Sequence, residues 1–261
     1  MIELSDRERR EICENTAIAT ITFYRPNNES DTYRSHLAKD TIRKAADSGC
    51  KVIVADGGSS DELLRDFERY GATLISSPED KNMGPRMRKA IKCAYDSGRP
   101  INAWSEAEKE DYVLKIPYTA VPILEGRADM TVPKRKSMQS YPTAQQLAEP
   151  VGNLCWKILT GTDLDLWFSP RTWRRDMSDY FLKYKGEYGD QWEANYIPVM
   201  YAAFDGKKIL GVEIEYNHPS GQTDLEENDF TFDRKRLKQL NFLTFALKDC
   251  WDKLHADQVS R

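Results

Sequence analysis

Asp56 closes an apolar run in Val54-Ala55-Asp56-Gly57-Gly58-Ser59-Ser60-Asp61, where a carboxylate is followed at once by two glycines and a helix-start pattern. A carboxylate at the carboxyl end of a buried strand is where open α/β sheets receive ligands. The same residues suit a plainer role, with Asp56 and Ser59 capping a helix. The glycines are not spaced as GxGxxG, which disfavours a dinucleotide site. Further along, Glu106-Ala107-Glu108 follows a short apolar segment, and carboxylates two apart beyond a strand can offer oxygens to one Mg²⁺ or Mn²⁺ ion. The exposed, charged start of a helix is the alternative for that stretch. Arg86, Arg88 and Lys89 follow Gly84-Pro85, so these cations at a helix start can meet a diphosphate or simply face solvent. Lys134, Arg135 and Lys136 form a second basic cluster, suited to a phosphate, an anionic acceptor or plain solubility.

Alternating strand-like and helix-like segments must position these groups, the pattern of a mostly parallel sheet with helices on both faces. Residues 17–24 (AIATITFY) read as a strand, and 33–46 as a helix that stops at Gly49. Lys51–Ala55 reads as a buried strand, and Ser59 with Glu62 makes a capping-box pattern for the helix that follows. A third strand over 72–76 leads to a helix with Pro85 at its first position, and strands follow over 102–104 and 128–132. Ala144, Leu147, Ala148, Val151, Leu154, Cys155 and Ile158 share one face of a helix that Gly161 ends. Residues 196–204 and 208–216 flank Asp205-Gly206, which predicts a β-hairpin. Residues 233–254 close the chain as an amphipathic helix with Leu237, Leu240, Leu247 and Trp251 on its apolar face.

The segment VIVADGGSSD resembles the strand–Asp–turn–Ser–x–Asp segment of GT-A fold glycosyltransferases related to family 2, and the match runs in register over most of the chain. The resemblance implies a GT-A fold in which Asp56, together with Pro26 and Glu29 after the first strand, holds the nucleotide of a nucleoside diphosphate sugar. It places Gly84, Arg86 and Lys89 near the nucleotide, and Glu106-x-Glu108 on the two positions of the family's metal-binding Asp-x-Asp. The glutamates depart from that pattern and put metal dependence in doubt. Residues 126–135, ending at Arg135, resemble a strand of dolichyl-phosphate-mannose synthase relatives. Asp163-Leu164-Asp165 resembles their loop near the acceptor, which makes Asp165 the candidate acceptor base. Soluble relatives such as mannosylglycerate synthase and glucosyl-3-phosphoglycerate synthase supply a late histidine as the third metal ligand, which implies that role for His218. The implied activity is hexose transfer from a UDP- or GDP-linked donor to a small soluble acceptor, assisted by Mn²⁺ or Mg²⁺.

The bulk properties agree with one such domain over residues 1–261, its nucleotide-binding half at about 15–110 and its acceptor half at about 111–261. A net charge of −4 argues against nonspecific nucleic-acid binding. No apolar run reaches the roughly 20 residues that cross a bilayer, so membrane insertion is not expected. Five scattered cysteines without CxxC spacing fit reduced thiols and a cytoplasmic setting. The oligomeric state stays open, a homo-oligomer included. Two rivals are kept: a sugar-phosphate nucleotidyltransferase, disfavoured because TITFYRPNNES holds no glycine, and a catalytically silent nucleotide-sugar-binding protein.

Overall fold

The computed structural model describes residues 3–25, 27–227 and 229–259. The strands are β1 (Thr16–Thr22), β2 (Lys51–Asp56), β3 (Thr73–Ser76), β4 (Ile101–Trp104), β5 (Met130–Arg135), β6 (Arg171–Arg174) and β7 (Ile209–Ile214). Between them run α1 (Asp6–Glu14), α2 (Glu29–Asp47), α3 (Asp61–Arg69), α4 (Met83–Asp96), α5 (Ile116–Leu124), α6 (Thr143–Thr160), α7 (Ser178–Lys183) and α8 (Ile197–Phe204), with α9 (Ser220–Glu227) and α10 (Phe230–Val259) at the end. The strands form one sheet in the order β3-β2-β1-β4-β6-β5-β7. Only β6 runs against its neighbours β4 and β5.

Period-two alternation along β1 and β2 builds two cores, because successive side chains point to opposite faces. Ala17, Ala19, Ile53 and Ala55 pack with Met87, Ala90, Ile91 and Ala94 of α4. Ile18, Val52 and Val54 pack instead with Ala38 and Ile42 of α2 and with Leu63 and Phe67 of α3. The chain leaves β1 toward β2 on one side, while β4 pairs on the other, so the sheet reverses its order between the carboxyl ends of β1 and β4. Crevices at such reversals are the ligand sites of open α/β sheets. No helix among the described residues is long and apolar enough to cross a membrane.

Three expectations are corrected. Residues 197–204 form α8 and not a strand: Asp205 closes the helix and Gly206, at φ 72°, supplies the left-handed residue after it. A glycine turn after an apolar run ends a buried helix as readily as it links two strands. The cap of α3 is Ser60, whose hydroxyl accepts from Leu63 N, while Ser59 turns back toward Asp56. The apolar face read for α6 points outward, with Leu147 at 69% and Ile158 at 74% exposure, and the buried face carries Gln145, Glu149, Gly152 and Trp156. That inward face is polar because Glu149 ion-pairs with Arg135 at 2.7 Å inside the protein. Gly152 sits there because a Cβ would fall 2.3 Å from the Trp167 ring.

Candidate functional site

The turn after β2 is organised by Asp56, which is buried. Its Oδ1 accepts from Thr22 Oγ1 at 2.7 Å and from Ser59 Oγ at 2.6 Å. Its Oδ2 accepts from Gly58 N at 2.7 Å and Ser59 N at 2.8 Å. Four donors fill the acceptor capacity of one carboxylate, so Asp56 ties the end of β1 to the turn. Beside it lies Arg86, whose Nη1 would stand 1.9 Å from a Cβ on Gly57. This close approach requires the glycine. Arg86 is 9% exposed, its Nη1 donates to Thr22 O at 3.4 Å, and among the described residues no carboxylate pairs with it. Burial lowers its pKa, a sign that the cation lacks full compensation.

A cleft of about 290 Å³ opens here, lined by Thr22, Phe23, Arg86, Trp104, Gln191 and Trp192. Arg34, Glu106, Glu108, Trp192 and Lys235 line both this cleft and an inner cavity of about 60 Å³, which places the two side by side. The inner wall adds Lys109 from the loop after β4, Arg135 from β5, Glu149 from α6, Glu226 from α9 and Arg236 from α10. Ser169, on the same wall, holds φ 77° and ψ −46°, a costly conformation for a residue with a Cβ. Asn195 Nδ2 holds it in place, donating to Ser169 O and Oγ at 3.0 Å each.

Charge in the cavity divides into paired and unpaired groups. Arg34 pairs with Glu108 at 2.9 Å, and Arg135 pairs with Glu149 and Asp165 at 2.7 Å each. Lys109, Lys235 and Arg236 have no carboxylate at ion-pair distance among the described residues. The Lys109 ammonium lies 5.1 Å from the centre of the Phe168 ring and 5.7 Å from those of Tyr141 and Tyr216, contacts that compensate only part of its lost hydration. Burial, opposed by Glu106 and Glu149, lowers its pKa. Burial, with help from Arg236 and Arg34, depresses Lys235 to about 8, against the pull of Glu226 and Glu108. The Lys235 side chain is nonetheless exposed at the rim of the cavity, where solvent screens these neighbours.

No family model and no curated protein matches the sequence. Solved structures do match by shape. The chain superposes on glucosyl-3-phosphoglycerate synthase from Mycobacterium tuberculosis in complex with phosphoglyceric acid with a TM-score of 0.59 at 16% identity, covering 92% of this chain and 84% of that one. The same enzyme with Mn²⁺, UDP-glucose and phosphoglyceric acid gives a TM-score of 0.58 at 16% identity, covering 94% and 85%. With Mg²⁺ and UDP it gives 0.57 at 16% identity, covering 91% and 82%. The chain has the GT-A fold.

Within this GT-A frame the sequence-derived residues separate into two groups. Glu106, Glu108, Arg135 and His218 come together on the inner cavity, and Arg86 lies in the adjoining cleft. Gly84 packs against Asp190, where a Cβ would meet Oδ1 at 1.9 Å, so it shapes the wall of the fold. Lys89 is directed to Glu79 and Asp80 at 2.5 and 2.8 Å and lines neither space. Glu29 is exposed in the first turn of α2, and Pro26 lies outside the described residues. Asp165 holds Arg135 through Nε at 2.7 Å and Nη2 at 2.8 Å, accepts from Asn153 at 2.8 Å, and does not line the cavity.

Metal ions accompany the nucleotide in some of those GT-A structures. In this chain no group of three or more His, Cys, Asp or Glu among the described residues is arranged to hold one. Glu108 is occupied by Arg34. His218 has Nδ1 2.8 Å from Thr223 Oγ1, and its ring centre lies 4.6 Å from that of Tyr141. Burial first, then Lys109, Arg236, Arg135 and Arg34, push its pKa down to about 2, so it stays neutral. Glu106 keeps Oε2 buried without a hydrogen-bond partner. The donor set does not fit a divalent ion as it stands.

Sequence reasoning missed Arg34, Glu149, Trp192, Glu226, Lys235 and Arg236. The last two belong to Asp233-Arg234-Lys235-Arg236, which reads as a solvated helix face. Only the packing of α10 over the cavity brings Arg236 to its wall and Lys235 to its exposed rim.

Proposed function

We propose that this protein is a glycosyltransferase that moves a hexose from a nucleoside diphosphate sugar to a small acceptor. The observation that carries the reading is an aromatic cleft, at the carboxyl ends of β1 and β4, that shares a wall with a cation-lined cavity on a GT-A fold. Phe23 and Trp192 offer flat apolar surface to a nucleoside, and Arg86 lines the same cleft. The cations of the cavity stabilise charge that grows on the departing diphosphate, where fixed charges lower the barrier most. Glu106, with its unpartnered oxygen, is placed to accept a hydrogen bond from a sugar or acceptor hydroxyl. The neighbours' complexes with UDP-glucose and phosphoglyceric acid support a sugar nucleotide and a small anionic acceptor as the first compounds to try. The five free cysteines suit a reducing, cytoplasmic setting.

Incubation with UDP-glucose and GDP-mannose, alone and with phosphoglycerate, tests the reading. Release of nucleoside diphosphate with formation of a glycosylated product is the expected result. Tight donor binding with no turnover under any of these conditions favours the silent binding protein. Arg86→Met should fold normally, since no ion pair is lost, and weaken nucleotide binding about tenfold by calorimetry, the scale of one charge-assisted contact.

A further inference from the structure

Three cations on the wall of the inner cavity, Lys109, Lys235 and Arg236, have no carboxylate at ion-pair distance among the described residues. Five cationic side chains line it, Arg34, Lys109, Arg135, Lys235 and Arg236, against the four carboxylates Glu106, Glu108, Glu149 and Glu226. Arg135 also shares Asp165, yet its Nη1 has no hydrogen-bond partner, nor do the buried Nε atoms of Arg34 and Arg236. Arg135 is buried and Arg34, Lys109 and Arg236 are partly buried among aromatic rings and helices, so water cannot fully solvate these four, while Lys235 stands exposed at the rim. Like charges held close in such a space repel one another, and a divalent ion would double each such term. A ligand with two or three negative charges reverses their sign.

We infer that Lys109, Lys235 and Arg236 neutralise the donor diphosphate in this chain directly, in place of a divalent ion. The inference rests on the nucleotide-sugar reading above and deepens it. Lys109 follows immediately on Glu106-Ala107-Glu108, so a side-chain cation stands beside the position where the resemblance implied a metal. Arg34 keeps Glu108 engaged, which removes that carboxylate from any metal and leaves the three unpaired cations for phosphate oxygens. Lys235 spans the cavity and the cleft, and Arg86 waits further out, giving a row of cations from the nucleoside side to the sugar side.

Calorimetry with UDP, GDP, pyrophosphate, uridine and phosphoglycerate, in EDTA and in Mn²⁺, tests the inference. In EDTA a nucleoside diphosphate and pyrophosphate should both bind, with Mn²⁺ changing the nucleotide affinity by less than about threefold. Lys109→Met and Arg236→Met should each weaken both ligands by about tenfold or more and leave uridine unaffected, while Lys92→Met on the outer face of α4 changes nothing. Melting temperatures of the two variants should match or exceed the wild type, since each removes a partly buried charge that has no carboxylate partner, which separates lost binding from lost folding. Strengthening of nucleotide binding by Mn²⁺ beyond about tenfold in the wild type would overturn the inference. So would loss of phosphoglycerate binding with nucleotide binding retained in the variants, which assigns the cations to the acceptor, or failure of pyrophosphate to bind in EDTA. Pyrophosphate binding in EDTA with no nucleoside diphosphate bound in any condition keeps the cation site and sinks the nucleotide-sugar reading.

Discussion

Asp165→Ala is expected to lose about 3 kcal/mol or more of folding stability in urea titration, the lower end of what breaking a buried ion pair costs. The carboxylate is 8% exposed and receives Arg135 Nε, Arg135 Nη2, the Arg135 backbone N–H and Asn153 Nδ2. Without it Arg135 keeps only Glu149, which moderates the loss. Burial raises the Asp165 pKa, but the charge and hydrogen bonds of Arg135 outweigh it and hold the group below the usual aspartate range. Its contribution is therefore complete above the unfolded value near 3.9 and disappears as pH falls through the lower folded value. The wild type should lose more stability on acidification than the variant. A variant as stable as the wild type, with turnover down about a thousandfold, would restore Asp165 as a catalytic base.

Asp56→Ala should be comparably damaging, by roughly 3–5 kcal/mol, because each buried donor left without an acceptor costs about 1–3 kcal/mol. The stranded donors would be Gly58 N, Ser59 N, Thr22 Oγ1 and Ser59 Oγ. Asp56→Asn should cost less. An amide can keep its oxygen toward the two backbone N–H groups and donate from nitrogen to the two hydroxyls, which accept as well as donate. The same urea titration orders the three proteins as wild type, Asn and Ala. Normal stability of the Ala variant with a selective loss of nucleotide affinity would return Asp56 to the ligand.

These two acids show what a sequence of this kind discloses. The position of Asp56 at a strand end was legible, because Lys51–Asp56 is apolar, short and followed by glycines. Its saturation was not, since Thr22 comes from another strand and only the sheet register brings the two side by side. Glu106 and Glu108 were legible as a pair beyond a strand, but the partner of Glu108 is Arg34, on a helix far earlier in the chain. For α6 the period was right and the direction wrong. Leu147, Val151, Leu154 and Ile158 mark a regular apolar stripe, and hydrophobicity alone cannot tell that Glu149 is bound inward by Arg135. Residues 197–204 failed for a related reason, as a short apolar run fits a buried helix and a buried strand equally well.

The lone antiparallel strand sets a condition on how the chain can assemble. The order β3-β2-β1-β4 uses nearby segments and can form as soon as Ile101–Trp104 has emerged during synthesis. The far side of β4 then stays open, because its partner β6 is Arg171–Arg174, and β5, made in between, pairs through β6 rather than with β4. A nascent chain halted before Arg171 thus carries an amino-terminal half with an exposed strand edge, the surface through which partly made sheet proteins join to one another. Ribosome-bound intermediates of intermediate length should be the species that most need a chaperone, and completion of β6 should release them.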